Sequence, residues 1–205
     1  MARQASSEAK VRLFVALDLP DQVRDEIAAW QSQALDDPAL RPMRPEALHV
    51  TLCFLSSHGE KTVPRIAKVV ASVPVRPIEM RFATEPRAVP RGRPGLYTLS
   101  AESPAAKSYQ QELSLALAGA RFYEPEKRPY WPHVTVARVR SERLAPEPGK
   151  RRGKGRPRRV DSPPASVPKA LTEPFGAVRV ALYRSNLKPE GAQYESLAGV
   201  DLPLR

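Results

Sequence analysis

Apolar residues recur along this chain with two different periods. Residues 12–19, RLFVALDL, are almost continuously apolar and stop at Pro20, which reads as a buried strand. Residues 21–35 follow with Val23, Ile27, Trp30 and Ala34 spaced three or four apart, the stripe of an amphipathic helix. Pro38, Pro42 and Pro45 mark an irregular return to a second strong strand, LHVTLCFL at 48–55. Val63, Ile66, Ala67 and Val70 predict a helix over 61–72. Short strands are predicted at 78–82 and 96–100, separated by a basic, Pro/Gly-rich connection at 87–95. Ser103 and Pro104 open a third helix over 103–117, with Gly119 placed to end it. Residues 133–139 form another strand, and 175–182 and 194–197 are further candidates, joined through a turn region at 186–191.

Strands alternate with helices in both halves. The segment HVTLCF at 49–54 returns as HVTVAR at 133–138, 84 residues later. This weak repeat predicts two related α/β lobes, each contributing one such strand, facing one another across a cleft. We expect one bilobal domain over 1–205, with a flexible polar tail at 1–10 and a flexible basic loop at 140–165.

Composition supports a folded protein: 41% of the 205 residues are hydrophobic and 27% charged, enough apolar material for a core. The formal charge is +11, which favours anionic partners such as RNA, DNA, nucleotides or lipid headgroups without choosing among them. Its distribution says more. Residues 140–160 hold nine basic side chains against two acidic ones, a net +7 of the +11, in a stretch rich in Gly and Pro. Cys53 is the only cysteine, so neither an intrachain disulfide nor a cysteine-based zinc cluster can form. With no secretory signal and no long apolar span in the sequence, a soluble cytoplasmic protein is expected.

The repeated segment also carries the candidate chemistry. With the two-residue period of a strand, His49 and Thr51 share one face while Val50 and Leu52 share the other. His133 and Thr135 lie likewise opposite Val134 and Val136. The chain has three histidines, and two of them fall in this one setting. Imidazoles titrate near neutrality, so one can take a proton from water while the other protonates a departing oxygen. Threonine hydroxyls can bind a non-bridging phosphate oxygen. Together they make a metal-free cradle for a phosphodiester, in which developing negative charge meets donors already aimed at it. His58 has no matching threonine and reads as surface or structural. A zinc site is disfavoured, because no histidine pair has helical i,i+4 spacing and no acidic ligand accompanies either motif.

On these residues the chain resembles the 2H phosphoesterase superfamily, named for two His-x-Thr-x motifs. Within it the resemblance is to the RNA 2′,3′-cyclic phosphodiesterases, first described as 2′-5′ RNA ligases. It spans nearly the whole chain: RLFVALDLP at 12–20, LHVTLCFL at 48–55, WPHVTVARV at 131–139 and LYRSNLKPEGAQYESL at 182–197. It implies an α/β (α+β) bilobal, pseudo-symmetric fold with antiparallel sheets around a central cleft. It also implies hydrolysis of a terminal 2′,3′-cyclic phosphate to a 2′-phosphomonoester, without metal or cofactor. His133 would be the general base and His49 the general acid, with Thr51 and Thr135 on the phosphate. The resemblance also implies reversible 2′-5′ RNA ligation as an accompanying activity.

The implied partner is RNA ending in a 2′,3′-cyclic phosphate, tRNA fragments among the candidates, bound by a monomer without membrane contact. Cys53 stands where the family often has Arg; strict alternation puts it on the cleft face as a small neutral filler. Ser56 replaces a common Gly. Arg138 matches the family's usual Arg, but alternation turns it away from His133 unless a bulge intervenes. For base stacking, Tyr130 and Trp131 are placed to line the cleft mouth, whereas Phe54 alternates towards the core. Lys150, Arg151, Arg152 and Lys154 are candidate RNA-backbone contacts, with Arg91 and Arg93 weaker ones. The competing readings are a phosphodiesterase for a small cyclic nucleotide or ADP-ribose cyclic phosphate, and a non-catalytic RNA-binding module.

Overall fold

The architecture follows from two apolar strand runs that must be buried and three helices with one apolar stripe each. The computed structural model describes residues 9–142, 155–188 and 191–203. In chain order its elements are β1 (Lys10–Asp18), α1 (Asp21–Ala34), β2 (Leu40–Pro42), β3 (His49–Gly59), α2 (Val63–Ser72), β4 (Glu79–Phe82), β5 (Arg87–Val89), β6 (Leu96–Glu102), α3 (Pro104–Gly119), β7 (His133–Val139), β8 (Ser141–Glu142), β9 (Arg156–Pro157), β10 (Phe175–Gly176), β11 (Arg179–Lys188) and β12 (Gly191–Asp201). The predicted helices are all present. Ser103 caps α3 by accepting a hydrogen bond from the Ala106 amide at 3.0 Å, as the Ser-Pro start requires.

Ten strands form one sheet in the order β10-β4-β6-β7-β3-β1-β11-β12, with β2 on β7 and β5 on β6. Every pairing is antiparallel. The lobes meet where β3 pairs with β7, Val50 opposite Val134. Val50 and Val134 are fully buried and share one apolar cluster with Ile27 of α1, Ile66 of α2 and Leu113 of α3. Helices therefore cover that face of the seam, and the face carrying the histidines is left open.

Three differences from the sequence pattern matter for function. The candidate strand at 175–182 is divided: Phe175 pairs with Met80 in one lobe, whereas Arg179 begins a ten-residue strand against β1 in the other. The chain crosses between lobes within Ala177 and Val178. The irregular return before His49 contains β2, and the Pro/Gly-rich connection contains β5. Both are three-residue strands held by long-range pairing, which no local periodicity reveals. The flanks of the basic segment are also hydrogen-bonded: Ser141–Glu142 pairs with Arg156–Pro157, and Arg93 donates to the Pro157 carbonyl at 2.8 and 3.0 Å. The Asp37 carboxylate accepts from the amides of Asp161 and Ser162 at 2.8 and 2.9 Å, contacts that hold its pKa below the ordinary value. Lys150, Arg151, Arg152 and Lys154 lie outside the described residues. Among the described residues, no helix is long and apolar enough to cross a membrane.

Candidate active site

The β3–β7 register assembles the site. With Val50 opposite Val134 in an antiparallel pair, His49 stands opposite Thr135 and Thr51 opposite His133, all four on the face away from the core. Directly opposed Cβ atoms are about 4.5–5.5 Å apart, so the four side chains stand side by side on that face. All four line a single cleft of about 600 Å³, within the range of nucleotide-sized ligands. Arg12, Arg41, Arg138 and Lys188 line it too, and among the described residues no Asp or Glu does.

A bulge in each strand sets what stands beside the histidines. On β7, Tyr97 pairs with Ala137 but Thr98 with Thr135, leaving Val136 as the extra residue. Two successive side chains, Val136 and Ala137, are therefore buried, and Arg138 swings back into the cleft. On β3, Val15 pairs with Cys53 but Ala16 with Thr51, making Leu52 the extra residue. Cys53 is consequently buried in the core at 1% exposure, not on the cleft face, and burial pushes its thiol pKa up to about 12. Phe54 moves the other way: it is 60% exposed and lines the cleft, not the core. Strict alternation misplaced both residues for this one reason. The Val136 carbonyl released by the bulge accepts from Met43 N at 2.9 Å and from the buried Gln31 side chain of α1 at 2.6 Å.

The two imidazoles are held differently. His133 Nδ1 lies 2.8 Å from the Trp131 carbonyl, which can only accept, so Nδ1 carries the proton and leaves the Nε2 lone pair free. The indole of Trp131 stacks on this imidazole at 4.4 Å, and the Arg87 guanidinium sits 4.3 Å over the same indole. Burial lowers the His133 pKa; the Trp131 carbonyl opposes this and the Arg87 charge adds to it. His49 stacks on Phe14 at 4.9 Å, meets Tyr194 edge-on at 5.1 Å, and its Nε2 lies 3.1 Å from Thr51 Oγ1. Burial draws its pKa down to about 4, against a backbone hydrogen bond with Ala47 and the charge of Asp18, which favour the protonated form. Asp18 pairs with His49 in register and accepts from Arg179 Nε at 2.8 Å and Tyr183 Oη at 2.5 Å.

Tyr130 and Trp131 do not line the cleft. Tyr130 is half-buried and donates its hydroxyl to the Thr51 carbonyl at 2.9 Å, while Trp131 is enclosed between His133 and Arg87. Their faces are used to brace the two motif strands. His58 lies off the cleft, edge-on to Phe122 at 6.0 Å. Arg12, Phe14, Arg41, Arg87 and Tyr194 were not singled out in the sequence. The charges of Arg12 and Asp18 within an apolar strand were the visible signal; Arg41 and Arg87 sit on the two strands that pattern concealed. Among the described residues, no group of three or more His, Cys, Asp or Glu is arranged to hold a metal ion.

The sequence pattern that defines the 2′-5′ RNA ligase superfamily matches residues 19–151, well over half of the chain. This chain belongs to that superfamily. The resemblance read from the paired His-x-Thr motifs is thereby upheld. An RNA 2′,3′-cyclic phosphodiesterase of Methanothermobacter thermautotrophicus is 29% identical over 200 residues, covering 92% of this chain and 97% of that protein. One from Thermus thermophilus is 29% identical over 203 residues, covering 91% and 88%. The crystal structure of TT0787 of Thermus thermophilus superposes with a TM-score of 0.72 at 26% identity, over 93% of this chain and 97% of that one. Escherichia coli LigT, crystallised with 3′-AMP, shares the fold with a TM-score of 0.70 at 21% identity, over 96% of this chain and 100% of that one.

Proposed function

We propose that this superfamily member opens RNA terminal 2′,3′-cyclic phosphates to 2′-phosphomonoesters by paired-histidine acid–base catalysis. The observation that carries this reading is the seam square of His49, Thr135, Thr51 and His133 in a cation-lined cleft. The names of its relatives, matched over most of both chains, point to the same reaction.

In the step envisaged, His133 Nε2 takes a proton from water as the water oxygen bonds to phosphorus. The bond from phosphorus to the ribose 3′ oxygen breaks, and protonated His49 donates its proton to that oxygen. Thr51 and Thr135 donate to the non-bridging oxygens, where negative charge grows. The anionic substrate raises the His49 pKa from its depressed value, so the acid is charged when the phosphate is in place. Phe54 provides an exposed aromatic face for the terminal base, a role the relative placement of Tyr130 and Trp131 does not serve. With a 5′ hydroxyl in place of water, the same pair would join a 2′,3′-cyclic end to it in a 2′-5′ bond, the bond from phosphorus to the 3′ oxygen breaking as before.

The test is an oligoribonucleotide ending in 2′,3′-cyclic phosphate, incubated with EDTA, with the product mapped. His49→Ala and His133→Ala should each lower kcat by about 10²–10⁴-fold. Full activity in both variants, or an absolute metal requirement, would overturn the reading.

A further inference from the structure

A row of alternating charge crosses the sheet beside the histidine square. His49 of β3 is directly opposite Asp18 of β1, Asp18 is opposite Arg179 of β11, and Arg179 is opposite Asp201 of β12. Directly opposed residues share a face, so imidazole, carboxylate, guanidinium and carboxylate stand in one line. Asp18 ends the apolar run of β1 and is 6% exposed, where an ionised carboxylate is costly unless donors surround it. Three do. Arg179 donates from Nε and Nη2, each at 2.8 Å, and Tyr183 donates from Oη at 2.5 Å. The Arg179 side chain reaches Asp18 by lying over Gly199, where a Cβ would stand 2.8 Å from its Cδ. The ring of Tyr183 stacks on Phe14 at 5.2 Å, and Phe14 stacks on His49 at 4.9 Å. The side chains that anchor the carboxylate thus also build the wall on which the imidazole rests.

His133 has no such neighbour. Its opposed residue on β6 is Ser100, and the charge acting on it is that of Arg87. A carboxylate beside one imidazole favours the protonated form, and a guanidinium near the other favours the neutral form. The other groups that face His49 do not supply this anion. His133 and Arg138 of β7 disfavour its charge, and Tyr183 and Tyr194 present uncharged rings. Asp21 and Asp25 of α1 and Glu46 rim the groove beyond Asp18 but are exposed, so water and salt screen them, and Arg24 is paired with Asp21. Both oxygens of Asp18 are already held by donors, so it acts through its charge and not as a carrier of the proton.

We propose that Asp18, anchored by Arg179 and Tyr183, is a positioning residue for the general acid: its charge keeps a proton on His49 until the ribose 3′ oxygen takes it. This rests on the phosphodiesterase reading above and deepens it, since it names what holds one histidine of the pair in the acid form.

The experiment compares an oligoribonucleotide ending in 2′,3′-cyclic phosphate with an analogue that carries sulfur in place of the bridging 3′ oxygen. When the bond from phosphorus to that sulfur breaks, the sulfur departs as a thiolate and needs no proton. Asp18→Asn should lower kcat/KM at least about tenfold on the oxygen substrate, the effect of removing one close opposite charge. On the sulfur substrate it should stay within about twofold of the wild type, because the acid step is bypassed. His49→Ala should show the same split. Asp18→Asn combined with Arg179→Gln leaves no unpaired guanidinium and carries the same expectation, with circular dichroism as the check on folding. Equal losses on both substrates in the folded variants, or no loss on either, would overturn the proposal. The His49 imidazole, followed by NMR in the free protein, should titrate at lower pH in Asp18→Asn than in the wild type. An unmoved midpoint would overturn the proposal without reference to turnover. A lowered midpoint in a protein that hydrolyses neither substrate would defeat the phosphodiesterase reading and sustain Asp18 as the counter-charge of His49.

Discussion

Phe54 and Arg138 show how a single side chain's direction shapes the site. Both follow a bulge that shifts the alternation by one, and both leave the core for the cleft. Phe54→Ala should lower kcat/KM by roughly 5- to 150-fold, the equivalent of about 1–3 kcal/mol for one stacked base. A change confined to thermal stability would instead make Phe54 structural. The imidazoles yield a pH prediction with a definite sign. The step proposed above needs His133 neutral and His49 protonated in the free protein, and both pKa values lie below the free-histidine value of 6.5, His49 at about 4. The kcat/KM profile should therefore be a bell whose basic limb begins below pH 6.5, with apparent values belonging to the pair. The kcat profile should move upwards, because bound phosphate favours the charged form of His49. A basic limb of kcat/KM above pH 7 would refute the lowering of both imidazole pKa values. Arg87→Met should shift that limb upwards, because the Arg87 charge disfavours protonated His133.

At the scale of elements, α1 does more than cover the sheet. Its Gln31, 4% exposed, donates from Nε2 to the carbonyls of Val136 at 2.6 Å and Met43 at 3.2 Å. It thereby ties the bulge of β7 to the end of β2, the two places that aim Arg138 and Arg41. Gln31→Leu leaves two buried acceptors short of a donor and should cost about 1–3 kcal/mol in chemical denaturation. Activity on an oligoribonucleotide ending in 2′,3′-cyclic phosphate should fall with it, whereas an unchanged denaturation midpoint would show that the Met43 amide suffices to hold the bulge. The strongly periodic elements were legible beforehand, because α1, α2, α3, β1, β3 and β7 bury one face each and the pattern records it. β2 and β5 were not, since three-residue strands between prolines exist only through the strands they pair with.

Over the whole molecule, one sheet joins two lobes and places the square at their seam, with four cationic side chains in the same cleft. Binding of an oligonucleotide should weaken with added salt more steeply than binding of a cyclic mononucleotide, because more phosphates release counterions. Equal slopes of log Kd against log salt for the two ligands would contradict a cleft that tracks the strand. If the +7 segment at 140–160 also holds RNA, neutralising Lys150, Arg151, Arg152 and Lys154 should flatten the oligonucleotide slope further. The repeated His-Val-Thr picked out the residues proposed to react and the two lobes, because chemistry and alternation are both local properties of a strand. Only the tertiary structure decided what surrounds them. Bulges, the pairing of Arg41 with Arg138 and the stack of Arg87 on Trp131 arise from register between distant segments, which is set by how strands close upon a shared core.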